Sequence, residues 1–329
     1  MIKSINRRTR RFATNPQEFI TSAGNRVGTW LSSRGHLGTN VFDKEWDLLI
    51  LLDTCRVDAL RAIAPEYDFL GDVGAITSCG GSSAEWITAT FQRRSPDELR
   101  DTAYLSCNGY AQFVLEAQGG VRDYKASAPA NYFFDWGDWE FPHESELGLV
   151  EHVWQYEPTG DDDAYGHPGA YTGPRFVTDR GISVGREHDF DRMILHYSQP
   201  HRPYAARALA EDRPLYDYEN EPFEALRSGV DRETVLGAYL DDLRYVLDDV
   251  ELLLDNIDAE QVAISADHGE AFGEWGVYEH PIGSLLPQVR RVPWVETVAN
   301  DHGGYEPTVT PDDAGDPDVD EQLQALGYK

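Results

Sequence analysis

The chain has 329 residues, 41% of them hydrophobic, with eight Trp, seventeen Tyr and thirteen Phe, which excludes a disordered polymer and allows one large core or two modest ones. Its 28 basic residues stand against 58 acidic ones, a net charge of -30. A field of that sign excludes nucleic acid and anionic lipid as general partners at ordinary salt.

The first residues, MIKSINRRTRRFATNPQEF, carry five basic side chains before the first acid and no apolar run, so they do not read as a secretory signal. No stretch approaches the roughly 18 apolar residues of a transmembrane span. Residues 1–45 are expected to form a polar, basic extension. WDLLILLD then brings a short apolar run, Leu48 to Leu52, ending in Asp53, the pattern of a buried parallel strand. Arg56 to Ile63 continues as a helix, so the carboxylate of Asp53 is expected at the carboxyl end of a sheet, where open α/β folds place ligands. Further strands are expected at Asp101 to Leu105 and at Asp191 to Tyr197. Between them, about 120–185, the Trp-, Gly-, Asp- and Pro-rich sequence reads as a long irregular insertion.

Leu236, Leu240, Leu243, Leu247, Val250 and Leu254 recur at spacings of four and three, one apolar face of a helix of roughly twenty residues. VAISADHGE follows as a second buried strand ending in an acid. Beyond about residue 300 the chain turns acidic and Pro-rich, and 301–329 reads as a tail. The three cysteines, Cys55, Cys79 and Cys107, form no C-x-x-C; they point to a reducing, cytoplasmic setting rather than to a disulfide framework.

Two segments carry chemistry: Asp53-Thr54-Cys55-Arg56-Val57-Asp58, and Asp267-His268-Gly269-Glu270 with Gly273, Glu274 and His280 beyond. Strand ends in a parallel sheet converge on one rim, so two carboxylates and an imidazole meeting there would suit one divalent cation, Mn, Mg, Ca or Zn. Each half has a plainer reading when taken alone. Asp53 could cap a helix, and Asp267-His268-Gly269 could form an Asx turn.

LLILLDTCRVD resembles the first metal motif of sulfatase-like members of the alkaline phosphatase superfamily, VAISADHGEAFGEWGVYEHP resembles their C-terminal one, and HYSQPHRPY resembles their strand followed by Pro-His-x-Pro-Tyr. The terminal LQALGY is similar to the ending of many such proteins. The acidic surface, with only four Lys beside 24 Arg, resembles that of haloarchaeal proteins, for which molar salt shortens the screening length to about 3 Å. The resemblance implies an α/β three-layer sandwich of the alkaline phosphatase/sulfatase type, with a mostly parallel sheet and helices on both faces. The catalytic domain would run over 46–300.

The resemblance further implies a metal held by Asp53, Asp267 and His268, with His201 facing the substrate oxyanion or leaving group and His280 nearby. A nucleophile is required on the loop Ile76 to Trp86. Ser83 matches that position best, Ser82 next, and Thr77 and Cys79 remain open; Ser83 also reads as a helix N-cap. The Cys-x-Pro-x-Arg motif of sulfatases proper does not occur at Cys55 or Cys79, so a seryl nucleophile and phosphoester chemistry fit better than formylglycine chemistry. No Asp-x-x-x-His pair for a second metal is found near Tyr197 to Tyr204, which suggests one metal with Arg56 and His201 taking over charge; an Arg56–Asp58 ion pair is the plainer use of Arg56.

The expected activity is hydrolysis or transfer of a small-molecule, glycan-linked or lipid-linked phosphate or sulfate ester. The rival from another class is a non-catalytic relative binding an anionic glycan or lipid headgroup on the same rim. Neither needs nucleic acid as a partner, and the oligomeric state is left open.

Overall fold

The computed structural model of the protein describes residues 16–35, 37–116, 128–156 and 172–310. Seven strands form the central sheet: β1 (Leu48–Leu52), β2 (Gly74–Thr77), β3 (Thr102–Ser106), β4 (Leu149–His152), β5 (Arg192–Tyr197), β6 (Ala259–Ser265) and β9 (Arg291–Ala299), in the spatial order β2-β9-β6-β1-β5-β3-β4. A separate two-stranded ribbon joins β7 (Ala271–Phe272) to β8 (Tyr278–Glu279). The pairs β1–β5, β1–β6, β3–β5 and β3–β4 are parallel, and β9 runs antiparallel to both of its neighbours.

β1 is buried on both faces, as its unbroken apolar run requires, and its side chains alternate between two cores. Leu48, Ile50 and Leu52 join Val246, Leu247 and Val250 of helix Arg232–Leu254 and Val177 and Ile182 of helix Pro174–Glu187. Leu49 and Leu51 join Trp86 and Ile87 of helix Ser83–Phe91, Val114 of helix Tyr110–Leu115 and Phe133 of helix Ala128–Trp136. Helices thus cover both faces of a mostly parallel sheet, the expected three-layer α/β sandwich. Full burial of each such side chain contributes about 1.5–3 kcal/mol, and the sheet at the centre is held rigidly from both sides.

The expected strands at 48–52, 101–105 and 191–197 form within a residue of those bounds, and the long amphipathic helix begins slightly earlier, at Arg232. The 120–185 segment is irregular over 137–143 but not throughout where it is described. Residues 128–136 are helical, Leu149–His152 adds a parallel edge strand to β3, and Pro174–Glu187 is a helix of fourteen residues. Its Trp, Phe and Tyr residues hid this because they serve packing: Phe133 and Trp139 lie 4.8 Å apart, and Trp154 and Tyr156 are buried.

The 1–45 stretch contains helix Pro16–Ser32, and Thr39 forms a bridge with Ser78 beside the candidate nucleophile loop. Past residue 300, Asp179 accepts hydrogen bonds from Tyr305 Oη (2.8 Å) and from the backbone N–H groups of Thr308 and Val309 (2.7 and 3.0 Å), so 301–310 packs on the α/β body.

Candidate metal centre and nucleophile

Strands β3, β1, β5 and β6 end on one rim. β1 lies between β5 and β6, and the Asp53 N–H continues the ladder to Tyr197 O at 3.2 Å. The chain then turns through Thr54, whose φ of 63° is uncommon for a residue other than Gly. Tyr239, from the long helix, holds this turn: its hydroxyl donates to Thr54 O (2.9 Å) and accepts from Arg56 N–H (3.0 Å). After β6, Asp267 and His268 enter a turn in which Gly269 is obligatory. A Cβ there would stand 2.2 Å from Gln288 O, and the Gly269 N–H donates to Val289 O at 2.8 Å.

The two strand ends bring Asp53, Asp267 and His268 together. His268 Nε2 is 3.6 Å from Asp53 Oδ1 and 3.3 Å from Asp267 Oδ2, with all three side chains buried. His268 Nδ1 lies 3.0 Å from Gly269 O, which places its proton there and turns the Nε2 lone pair towards the carboxylates. A fourth group was not foreseen. His196, on β5, is fully buried; its Nδ1 meets Tyr104 Oη at 2.9 Å and its Nε2 lies 3.5 Å from Asp267 Oδ2. Asn108, after β3, donates to the other oxygen of Asp53 (2.9 Å).

Asp53 Oδ1, His196 Nε2 and Asp267 Oδ2 are buried without a hydrogen-bond partner among the described residues, and ligand atoms of these same three residues lie within 4.8 Å of one another. Buried polar atoms are rarely left so. Two carboxylates and the His196 nitrogen that converge without partners, with His268 Nε2 beside them, are the donor set of a divalent cation. The electrostatics agree. Burial, reinforced by Asp267, pushes the Asp53 carboxyl well up. Burial acts on Asp267 in the same direction, but the facing imidazoles of His268 and His196 outweigh it and hold that carboxyl low. Two carboxylates this close do not both ionise readily without a cation. The residues fit one metal.

Ser83 Oγ stands 3.2 Å from His268 Nε2, so this hydroxyl borders the same space. The helix cap is its neighbour. Ser82 has extended backbone and its side chain accepts from Glu85 N–H at 3.4 Å, while Ser83 is the first helical residue. The N-cap reading of Ser83 is therefore corrected: capping falls to Ser82, and Ser82 is turned to the helix rather than to His268. Of the other candidates, Thr77 is exposed on the edge strand β2. Cys79 points inward to Trp86 O and Thr90 Oγ1, and burial pushes its thiol up. Ser78 ties the loop to the metal turn by donating to Asp267 O.

His280 sits against His268, ring centres 4.3 Å apart, and His201 against His280 at 5.3 Å, so both expected histidines reach the site. His280 Nδ1 faces the Glu270 carboxylate at 3.1 and 3.2 Å, and His201 Nδ1 faces Arg202 O at 2.8 Å. Burial pushes the His280 and His268 imidazoles down to about 4 and that of His201 well below its usual range, while it raises Glu270 to about 8.

Arg56 does not take the catalytic position expected of it. Its guanidinium is bidentate on Asp58 (2.8 and 2.7 Å) and donates to Glu274 Oε1 (2.8 Å) and Glu270 O (2.9 Å). The plainer ion-pair reading of Arg56 with Asp58 holds, and the side chain braces the turn after β6 from behind.

No family model matches the sequence, and no curated protein matches it. Among solved structures, the chain is similar to the soluble domain of lipooligosaccharide phosphoethanolamine transferase A from Neisseria meningitidis, at 16% identity and a TM-score of 0.47 over 79% of this chain and 78% of that one. It is similar to the C-terminal periplasmic domain of phosphoethanolamine transferase EptC from Campylobacter jejuni, at 16% identity and a TM-score of 0.45 over 76% and 77%. It is also similar to a 2-O GAG sulfatase, BT1596, at 12% identity and a TM-score of 0.39 over 86% and 70%.

Proposed function

We propose that this protein is a metal-dependent enzyme that transfers the phosphoryl group of a phosphate ester, through Ser83, to water or to an acceptor alcohol. The observation that carries this reading is the convergence of three partnerless buried atoms, Asp53 Oδ1, His196 Nε2 and Asp267 Oδ2, on a space bordered by His268 Nε2 and the Ser83 hydroxyl. Asp53, Asp267 and His268 would hold the cation, with His196 as an added nitrogen donor. Two imidazoles beside two carboxylates favour Zn or Mn over the all-oxygen preferences of Ca and Mg. When bound, the cation offsets the paired carboxylate charge and lowers the pKa of an adjacent hydroxyl.

The protein's own groups supply the rest. Ser83 Oγ forms a bond to phosphorus as the bond to the leaving-group oxygen breaks, and water or an alcohol later takes the phosphoryl group and regenerates the hydroxyl. His280, kept neutral by burial and with its Nδ1 on the Glu270 carboxyl, would donate from Nε2 to an ester oxygen, while His201, whose Nδ1–H donates to Arg202 O, would offer its Nε2 lone pair to the hydroxyl of the attacking water or alcohol. Ser82 and Glu85 fix the start of the nucleophile helix, Ser82 by its cap and Glu85 by accepting from Gly81 N–H at 2.9 Å.

A seryl nucleophile fits phosphorus better than sulfur, because a seryl sulfate lacks the easy release route of an aldehyde hydrate; sulfate esters are the comparison substrates. Ser83→Ala is expected to reduce turnover of aryl phosphates and phosphodiesters by about 1,000-fold or more, with metal content unchanged. Full activity in that variant would remove Ser83 from the chemistry.

A further inference from the structure

The turn that carries His268 has a second side, away from Ser83. Between helix Val57–Ile63 and the segment Pro287–Arg291 lies a cavity of about 500 Å³, lined among others by Arg56, Asp58, Arg61, Gln288 and Arg291. Three guanidinium groups and one carboxylate face it, in a chain whose net charge is -30.

The three arginines differ in what holds them. Arg56 is neutralised by Asp58 and Glu274. Arg61 gives Nε (3.0 Å) and Nη2 (2.7 Å) to Val73 O, a neutral acceptor, and meets no carboxylate within ion-pair distance among the described residues. Arg291 is exposed, its backbone N–H donates to Pro287 O, and its guanidinium has no hydrogen bond or ion pair among the described residues. Several arginines elsewhere are spent on acids, Arg175 on Asp249, Arg180 on Glu151, Arg186 on Asp301, Arg213 on Glu219 and Arg244 on Glu66, whereas Arg192 gives its guanidinium to the carbonyls of Phe42 and Lys44. At this cavity two guanidiniums without a carboxylate partner line the same space. In the same wall, Gln288 Oε1 is buried without a partner among the described residues. An amide in that state can turn its NH2 end to an acceptor at little cost.

We propose that this cavity is a second anion site, distinct from the metal centre, that binds a tetrahedral oxyanion, a phosphate or sulfate group. Arg61 and Arg291 hold it, and Gln288 donates to it. Guanidinium forks match the spacing of phosphate and sulfate oxygens and are weakly hydrated, so they suit such an ion better than lysine would. Asp58 keeps Arg56 out of the contact and leaves it bracing the turn through Glu270 O. The site abuts the metal turn, since Gly269 packs on Gln288 O and its N–H bonds Val289 O. An anion there therefore rests on the backbone that positions Asp267 and His268. The proposal does not depend on catalysis at Ser83.

Calorimetric titration of inorganic sulfate into the metal-loaded full chain, at ionic strength held by KCl, tests it. The wild type is expected to show a sulfate-binding component that Arg291→Gln weakens at least tenfold, apart from any sulfate held at the metal rim, with metal content and thermal midpoint unchanged; Arg61→Gln is expected to do the same. In the Ser83→Ala background, a component lost in Arg291→Gln that binds phenyl phosphate more tightly than inorganic phosphate would assign the site to an ester-bearing ligand, and the reverse order to the free ion. No saturable binding, an isotherm identical in both variants and the wild type, or acetate binding as well as sulfate would overturn the proposal.

Discussion

Asp53 and Asp267 come from strands more than 200 residues apart in sequence, and each ends its strand at the same rim. An acid directly after a short apolar run was enough to place both, and the Gly after His268 marked a turn that a larger residue would block. His196 was not legible. In HYSQP it reads as an interior strand position, and only the pairing of Leu51 with His196 across β1 and β5 shows that it sits beside Asp53. Asn108 was hidden for the same reason, since nothing local to an Asn after a strand tells which carboxylate it will meet. Ser82 and Ser83 were separable only by backbone conformation. If His196 is a ligand, as proposed above, His196→Gln should weaken Zn retention by about tenfold or more. In the Co-substituted protein it should also change the visible spectrum. An unchanged spectrum and affinity would leave His196 as a packed core residue bonded to Tyr104.

Helix Arg232–Leu254 was read from its apolar spacing, and its role at the site comes from Tyr239, a position that periodicity marks only as buried. The strands missed in the sequence have physical reasons. β9 contains Pro293, and β2 and β4 are four residues each with partly exposed side chains, so neither offers a continuous apolar run. The same helix carries Asp242, fully buried, with Oδ1 accepting from Ala206 N–H at 2.9 Å; burial lifts its carboxyl to about 8. Between about pH 4 and 8 the folded chain thus keeps a proton there that the unfolded chain has lost. Unfolding is therefore favoured as pH rises through this window. Asp242→Asn, which mimics the protonated group, should stabilise the protein at pH 8 relative to the parent by at least about 1 kcal/mol and much less at pH 4. Urea unfolding at the two pH values measures this; an equal effect at both would mean that Asp242 is ionised in the fold.

At the scale of the whole molecule, a negative field surrounds a rim that gathers two further carboxylates. That arrangement costs folding energy unless a cation is present. Molar salt would reduce repulsion between the surface acids, but the buried pair at Asp53 and Asp267 is beyond salt's reach. A bound divalent ion, as proposed above, would offset it where protonation of Asp53 otherwise must. The most direct test is elemental analysis of the chelator-stripped full chain after reloading with Zn or Mn and removal of free ion. The account predicts one ion per chain for the wild type and for Ser83→Ala, and none for Asp267→Asn or Asp53→Asn. Equal metal content in all four proteins, or none in the wild type, would contradict it.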